Sequence, residues 1–271
     1  VCSSVVFNQN LIHAEYGGVV PELAARAHTE KLDICVEAAL NKSKKNLTDV
    51  DIICVTSGPG LIGGLLSGVM FAKALALGLN KPLIGVNHLA GHALTPRLSN
   101  SIKFPYLILL VSGGHCQFLI VKSATDFIRI GGTIDDAPGE AFDKTAKLMG
   151  LGYPGGPIIE TRALNGDPDS FNLPRPLIQK KNCDMSFSGL KTALRREVDL
   201  IKKVSTTISD TQVNNLCASF QKAVEDIFIS KSKRAMKIFN RLYPDFPQTI
   251  AIVGGVAANK SIGSALFKIT K

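Results

Sequence analysis

The sequence predicts an α/β protein built as two lobes. Three observations carry this. Short apolar, strand-like runs alternate twice with stretches of helical periodicity. The alternation breaks at Phe104-Pro105, dividing the chain into 1–104 and 105–271. Glycine-rich turns follow three of the apolar runs, and in open α/β sheets ligands bind at the carboxyl ends of strands.

In order, Val5–Phe7 reads as a short strand, and Pro21 is placed to start a helix that runs to about Leu40. Asp51–Thr56 reads as a buried strand. It leads into Ser57-Gly-Pro-Gly-Leu-Ile-Gly-Gly64 and a small-residue apolar helix to Leu79. Leu83–Val86 is a further strand feeding a short helix at His88–His92. Tyr106–Val111, Cys116–Lys122 and Phe127–Ile130 read as strands joined by hairpins. Helices are expected at about 139–149, 157–164, 187–203 and 211–240, with a Pro-rich loop at 168–176. Thr249–Val253 is the last strand, ending in Gly254-Gly255 before a helix.

The 271 residues, 45% hydrophobic and 20% charged, suffice for one large core or two smaller ones. The net charge of +9 fits either a polyanionic partner or simple solubility. Six cysteines lie scattered through apolar stretches with no CxxC pair, which reads as buried free thiols in a reducing, cytoplasmic setting. There is no signal peptide and no unbroken run of 18 apolar residues, so no membrane association is expected. The chain opens on Val1 and ends at Lys271 within a helical pattern, which reads as a piece of a longer protein.

His88 and His92 stand four apart, which places two imidazoles on one helix face about 6 Å apart at Cβ. That suits a transition metal, or two unrelated structural histidines. Leu89 stands where a zinc protease needs its glutamate. Ser112-Gly-Gly-His115 fits a phosphate loop or a tight turn between strands. Gly254-Gly-Val-Ala-Ala-Asn259 fits an anion-binding helix start, with Asn259 reaching a ribose or base, or a plain connection. Asp135, Asp136, Glu140 and Asp143 fit ribose or cation binding, or the capped first turn of a helix. Asp143 lies too far along for capping. Tyr153-Pro-Gly-Gly-Pro157 fits a flat glycine surface under a sugar or base, or a helix-starting turn. Two basic clusters fit RNA contact or solvated helix faces: Lys180, Lys181, Lys191, Arg195, Arg196, Lys202 and Lys203, then Lys231, Lys233, Arg234 and Lys237.

Taken together and in this order, SGPGLIGGLLSG, NHLAGHALTPRL, LLVSGGHCQ, IDDAPGEAFDKTAKLMGLGYPGGP, MSFSGLKTA and GGVAANK resemble the tRNA N6-adenosine threonylcarbamoyltransferase family, formerly described as O-sialoglycoprotein endopeptidases. The resemblance covers essentially the whole chain and is nearest to bacterial members, with a mitochondrial member as the alternative source. It implies an actin-like ATPase (ASKHA) fold of two ribonuclease H-like lobes. It implies transfer of a threonylcarbamoyl group from threonylcarbamoyl-adenylate to N6 of the adenosine beside the anticodon (position 37) in tRNAs reading ANN codons.

By the same resemblance His88 and His92 are metal ligands for one divalent ion, Fe2+ or Zn2+. Leu110, Val111, Ser112, Gly113 and Gly114 surround the phosphate of the bound threonylcarbamoyl-adenylate or ATP. Asp143 and Gly156 contact ribose and adenine, Asn259 contacts the nucleotide, and Glu160 stands at a ribose-binding acid position. The implied partners are tRNA, a paralogous ASKHA subunit and a small ATPase. The family's ESSCD-like and TDNAAM-like motifs are missing, the second with its metal-binding Asp, so weaker metal binding and impaired activity are expected of the chain by itself. The competing classes are a small-molecule kinase of the same fold, a metalloprotease and a non-catalytic scaffold.

Overall fold

A computed structural model describes residues 1–205 and 207–270. The chain divides into two compact units, one ending at Gly91 and the other beginning at His92. Lys271, which the sequence places in the second lobe, lies outside the described residues.

The first unit contains α1 (Asn10–Ala14), α2 (Pro21–Ser43), β1 (Ile53–Gly58), α3 (Ile62–Leu79), β2 (Leu83–Asn87) and the first turn of α4 (His88–Leu94). Pro21 opens α2, where its missing N–H costs nothing. Lys44 and Asn80 end α2 and α3 in the left-handed conformation. β1 and β2 pair in parallel from Ile53↔Leu83 to Gly58↔Asn87, with α3 as the crossover. α2 and α3 pack through small residues: a Cβ on Gly63 would stand 3.0 Å from that of Ala25, and Ser67 Oγ donates across to Ala25 O at 3.3 Å.

One expectation changes here. Val5–Phe7 is not a strand: residues 1–9 form no regular element, and Val6 is exposed. β-Propensity alone forms no ladder, and the sheet of this unit holds only β1 and β2. One helix, α3, is long and apolar enough to cross a bilayer by length and composition alone. Gly, Ser67 and Lys73 interrupt its apolar run, yet the mean hydropathy over the helix is 1.8. In the fold this helix packs on α2 and β1.

The second unit holds the remaining turn of α4, α5 (Pro96–Ser99), β3 (Tyr106–Val111), β4 (Cys116–Val121), β5 (Phe127–Gly132), α6 (Pro138–Leu148), α7 (Gly155–Ala163), α8 (Ser188–Val204), α9 (Asp210–Leu242), β6 (Ile250–Val253) and α10 (Lys260–Lys268). Its sheet runs β5-β4-β3-β6: an antiparallel meander with β6 added in parallel to β3. β3 is buried along its whole length, as its unbroken YLILLV demands. α9 lays Val213, Cys217, Phe220, Val224, Phe228, Ala235 and Phe239 into the core as one helical seam. The division falls upstream of Phe104-Pro105 because the Tyr106 hydroxyl donates to Ala93 O at 2.9 Å and Arg97 stacks on Phe104.

The cysteines are all free, but only Cys116, Cys183 and Cys217 are buried; Cys35 is half-buried, and Cys2 and Cys54 are exposed. Burial pushes the Cys116 thiol well above its ordinary value and that of Cys217 up to about 12, so neither is a ready nucleophile.

Candidate functional site

Three backbone segments meet at the carboxyl ends of β3 and β6. Ser112–His115 is a closed turn: Ser112 N donates to His115 O at 2.8 Å, and His115 N donates to Ser112 Oγ at 3.1 Å. The turn reading of this motif therefore holds. Gly113 and Gly114 are exposed at its tip, with open space where a Cβ would be. Leu110 and Val111 bury their side chains in the core, so only their backbone is available to a ligand.

The β6 exit presses on this turn. Gly254 has φ +101°, and a Cβ there would collide with Val111 O. On the other side, a Cβ on Gly139 would lie 2.7 Å from Gly113 Cα, and Glu140 N donates to Gly113 O at 3.1 Å. Glycine at these two positions is what lets the three segments touch.

Asp143 leaves the second turn of α6, and its Oδ1 accepts from Gly155 N at 2.7 Å. It is half-buried. Burial pushes its carboxyl above the ordinary value, the Gly155 bond opposes this, and the charge of Glu140 adds to it. The bond pins the start of α7 to α6, where a Cβ on Gly155 would collide with Phe142 O. Gly156 follows with free space above it.

After Gly254 the chain makes a 3-10 turn over Gly255–Ala258 before α10. Side chains take two of the N–H groups at the start of α10. Asn259 Oδ1 accepts from Ile262 N at 3.0 Å, and Glu160 accepts from Lys260 N at 2.7 Å. Asn259 Nδ2 donates to Gln221 Oε1 at 3.1 Å within the core, and Ser261 donates to Glu225 at 2.5 Å. Two of the N–H groups that an anion would meet at this helix start are thus taken by side chains. Asn259 and Glu160 act as caps of α10.

Gly113, Asp143, Gly156, Glu160 and Asn259 nonetheless line one cavity of about 290 Å³, together with Gly139, Phe142, Pro154, Pro157, Gly255, Val256 and Ala258. A neighbouring open groove of about 620 Å³ is lined by His92, Thr95, Gly254, Ala257 and Ala258. Ala258 belongs to both, so His92 and the cavity share a wall. His88 starts α4, where Asn87 Oδ1 caps the N–H groups of Leu89 and Ala90 at 2.9 and 3.1 Å.

The other acids turn inward on the protein. Asp135 accepts from Phe187 N, Ser188 N and the hydroxyls of Ser186 and Ser188. Burial opposes its ionisation, but these bonds outweigh burial and hold the carboxyl below its ordinary value. Asp136 accepts from Lys144 of α6 and Lys191 of α8, each at 3.1 Å. These bonds tie Asp135 to the start of α8 and Asp136 to α6 and α8.

The second basic cluster is also partly internal. Lys231 is fully buried, its Nζ donating to Lys180 O and Asn182 O at 3.0 Å, and Arg234 donates to Ile178 O at 2.9 Å. Burial takes Lys231 out of reach of RNA, and both residues hold the loop before α8. Phe142, which lines the cavity, and Gln221, which holds Asn259 from behind it, are residues that motif reading missed. A glutamine within the buried seam of α9, four residues after Cys217, was the available signal.

The model of the tRNA N6-adenosine threonylcarbamoyltransferase family matches residues 1–270. The chain belongs to this family. A tRNA N6-adenosine threonylcarbamoyltransferase of Cereibacter sphaeroides is 57% identical over 271 residues, which is 100% of this chain and 74% of that one. The same-named protein of Roseobacter denitrificans is 56% identical with the same coverage. Among solved structures, YeaZ from Pseudomonas aeruginosa matches 42% of this chain and 55% of its own at 20% identity and a TM-score of 0.31. The Acidaminococcus fermentans (R)-2-hydroxyglutaryl-CoA dehydratase component A matches 88% and 74% at 15% identity and a TM-score of 0.44. The kinase and protease readings are not favoured by these matches.

Proposed function

We propose that the cavity between α6, α7 and the β6 exit is the donor site of a transferase. It moves a threonylcarbamoyl group from threonylcarbamoyl-adenylate to N6 of adenosine 37 in tRNAs reading ANN codons and releases AMP. One observation carries the assignment of the site. Five residues separated by up to 146 positions of chain, Gly113 to Asn259, converge on one cavity, and they are positions that the motif resemblance assigns to the nucleotide.

The donor is a mixed carbamoyl-phosphate anhydride with AMP as the leaving group, so no protein nucleophile is required. The glycine tip at Gly113-Gly114 offers backbone N–H groups to the departing phosphate. Asp143 fixes the start of α7 and holds its second oxygen for a ribose hydroxyl. Glu160 and Asn259 close the far wall. Holding the carbonyl still for the incoming amine supplies much of the barrier reduction.

His88 and His92 offer two imidazole nitrogens one helical turn apart, a donor set that fits part of the coordination of Fe2+ or Zn2+. Such an ion would act as a Lewis acid on donor oxygens. The architecture we infer is the actin-like ATPase fold with ribonuclease H-like lobes, supported by the meander and parallel fourth strand of the second unit. The partners we infer are a paralogous subunit and a small ATPase.

The test supplies the protein and those partners with unmodified tRNA, threonine, bicarbonate and ATP. Threonylcarbamoyladenosine is read by mass spectrometry, with a relative run in parallel. Formation of the modified nucleoside that is lost in Asp143→Ala supports the site. Its absence while the relative works refutes the function.

A further inference from the structure

We propose that the outer edge of α8, carrying Arg195, Arg196, Lys202 and Lys203, is the track on which the tRNA backbone lies while its adenosine reaches the donor cavity. The proposal rests on the reading of that cavity given above.

The anchoring of α8 sets its place. Asp135 binds the backbone and hydroxyls at its amino end, and Asp136 bridges Lys191 of α8 to Lys144 of α6. Two residues on, the same segment enters α6, whose Gly139, Phe142 and Asp143 line the cavity. The amino end of α8 is therefore tied to the cavity wall. From Ser188 the helix carries the two arginines about 10 Å away and the two lysines about 22 Å away at 1.5 Å per residue. On this proposal, an RNA stem entering with one base in the cavity lays its phosphates along this range.

The charge of the edge fits such a guest. All four cations are exposed. The exposed carboxylate beside them, Asp199, stands 3.9 Å from Arg195, at the outer limit of an ion pair, with both side chains more than half exposed. Arginine pairs bidentately with phosphate, and each phosphate neutralised releases counterions. Countering the negative end of the helix accounts for Lys202 and Lys203 but not for two adjacent arginines in mid-helix.

The other basic surface is badly placed. Lys233 and Lys237 border a separate hollow of about 410 Å³ with Leu107 and Ile250, at the amino ends of β3 and β6. The donor cavity is at the opposite ends of the same strands, where α8 is anchored and this hollow is not.

The test compares Arg195→Glu/Arg196→Glu with Lys233→Glu/Lys237→Glu in the complete modification assay. Adenylate binding is measured by calorimetry and folding by thermal melting. The expected result is a tRNA KM raised about tenfold or more for the arginine pair only. Its log KM against log salt slope should fall by about 2, roughly one for each phosphate that is no longer neutralised, with adenylate affinity and melting unchanged. An unchanged KM and slope in the arginine pair would overturn the track, and so would an equal loss in both pairs. A wild-type protein that forms no modified tRNA and binds no adenylate would instead overturn the donor-site reading.

Discussion

At the scale of single residues, the site separates groups that hold the fold from groups left over for a ligand. Asp143 does both. Its raised carboxyl value means that the fold favours its neutral form. What it contributes to stability is thus present below the ordinary carboxylate range and lost as pH rises through the elevated value. Asp143→Asn keeps an oxygen for Gly155 N and removes the charge. Its melting temperature at neutral pH should equal or exceed wild type, while the donor KM rises about tenfold, roughly 1.4 kcal/mol. A fall in melting temperature alongside activity would make the residue structural only. Gln221 is the reverse case, since it lines nothing but holds the amide of Asn259. Gln221→Leu leaves that buried donor unpaired, at about 1–3 kcal/mol by urea denaturation, and weakens donor binding. Gln221→Glu keeps the acceptor and should recover most of both. Equal stability of Gln221→Leu and wild type would remove the residue from this role.

At the scale of elements, the three touching segments make glycine positions unequal. Gly254 combines φ +101° with close approach to Val111 O. Gly254→Ala should lose at least about 2 kcal/mol and part β6 from β3. Gly113→Ala meets open space, so its stability should stay within about 0.5 kcal/mol of wild type while turnover falls. Denaturation of the two variants side by side decides this, and equal destabilisation would refute the assignment of their roles. The sequence made the strands and helices legible where one face was unmistakable: YLILLV of β3 and the long period of α9 could be little else. It made the cavity legible through family strings. It did not reveal that Asp135 caps α8 or that Glu160 caps α10, because an acid facing a ligand and an acid facing a helix 50 or 100 residues away look alike in one dimension. Val5–Phe7 was misread for a related reason, since a strand requires a neighbour that local sequence does not name. Asp135 also gives α8 an acid-sensitive anchor. A carboxyl held below its ordinary value contributes stability above the unfolded range that is lost as pH falls through the lower, folded value.

At the scale of the whole molecule, the two units differ in how much apolar surface each removes from water. Every residue of the large buried cluster belongs to the second unit, from Leu107 to Leu266. The buried apolar residues of the first unit are Ala27, Ala72 and Ala76, while Ile62, Leu66, Met70 and Leu77 of α3 are exposed. Hydrophobic burial contributes roughly 25 cal/mol per Å², and three alanines supply little of it. Regions with little buried apolar surface open most readily, so the units should open at different free energies. Hydrogen exchange followed by mass spectrometry should find amides of β3, β4 and the middle of α9 slowest. Those of β1, β2 and α3 should exchange at least about tenfold faster, a gap of roughly 1.4 kcal/mol or more. Adenylate should slow exchange at Gly113–His115, Asp143–Gly156 and Gly255–Asn259, because its proposed binding surface lies there. Protection of α3 equal to that of α9 would show that the first unit derives its stability from burial other than its own alanines.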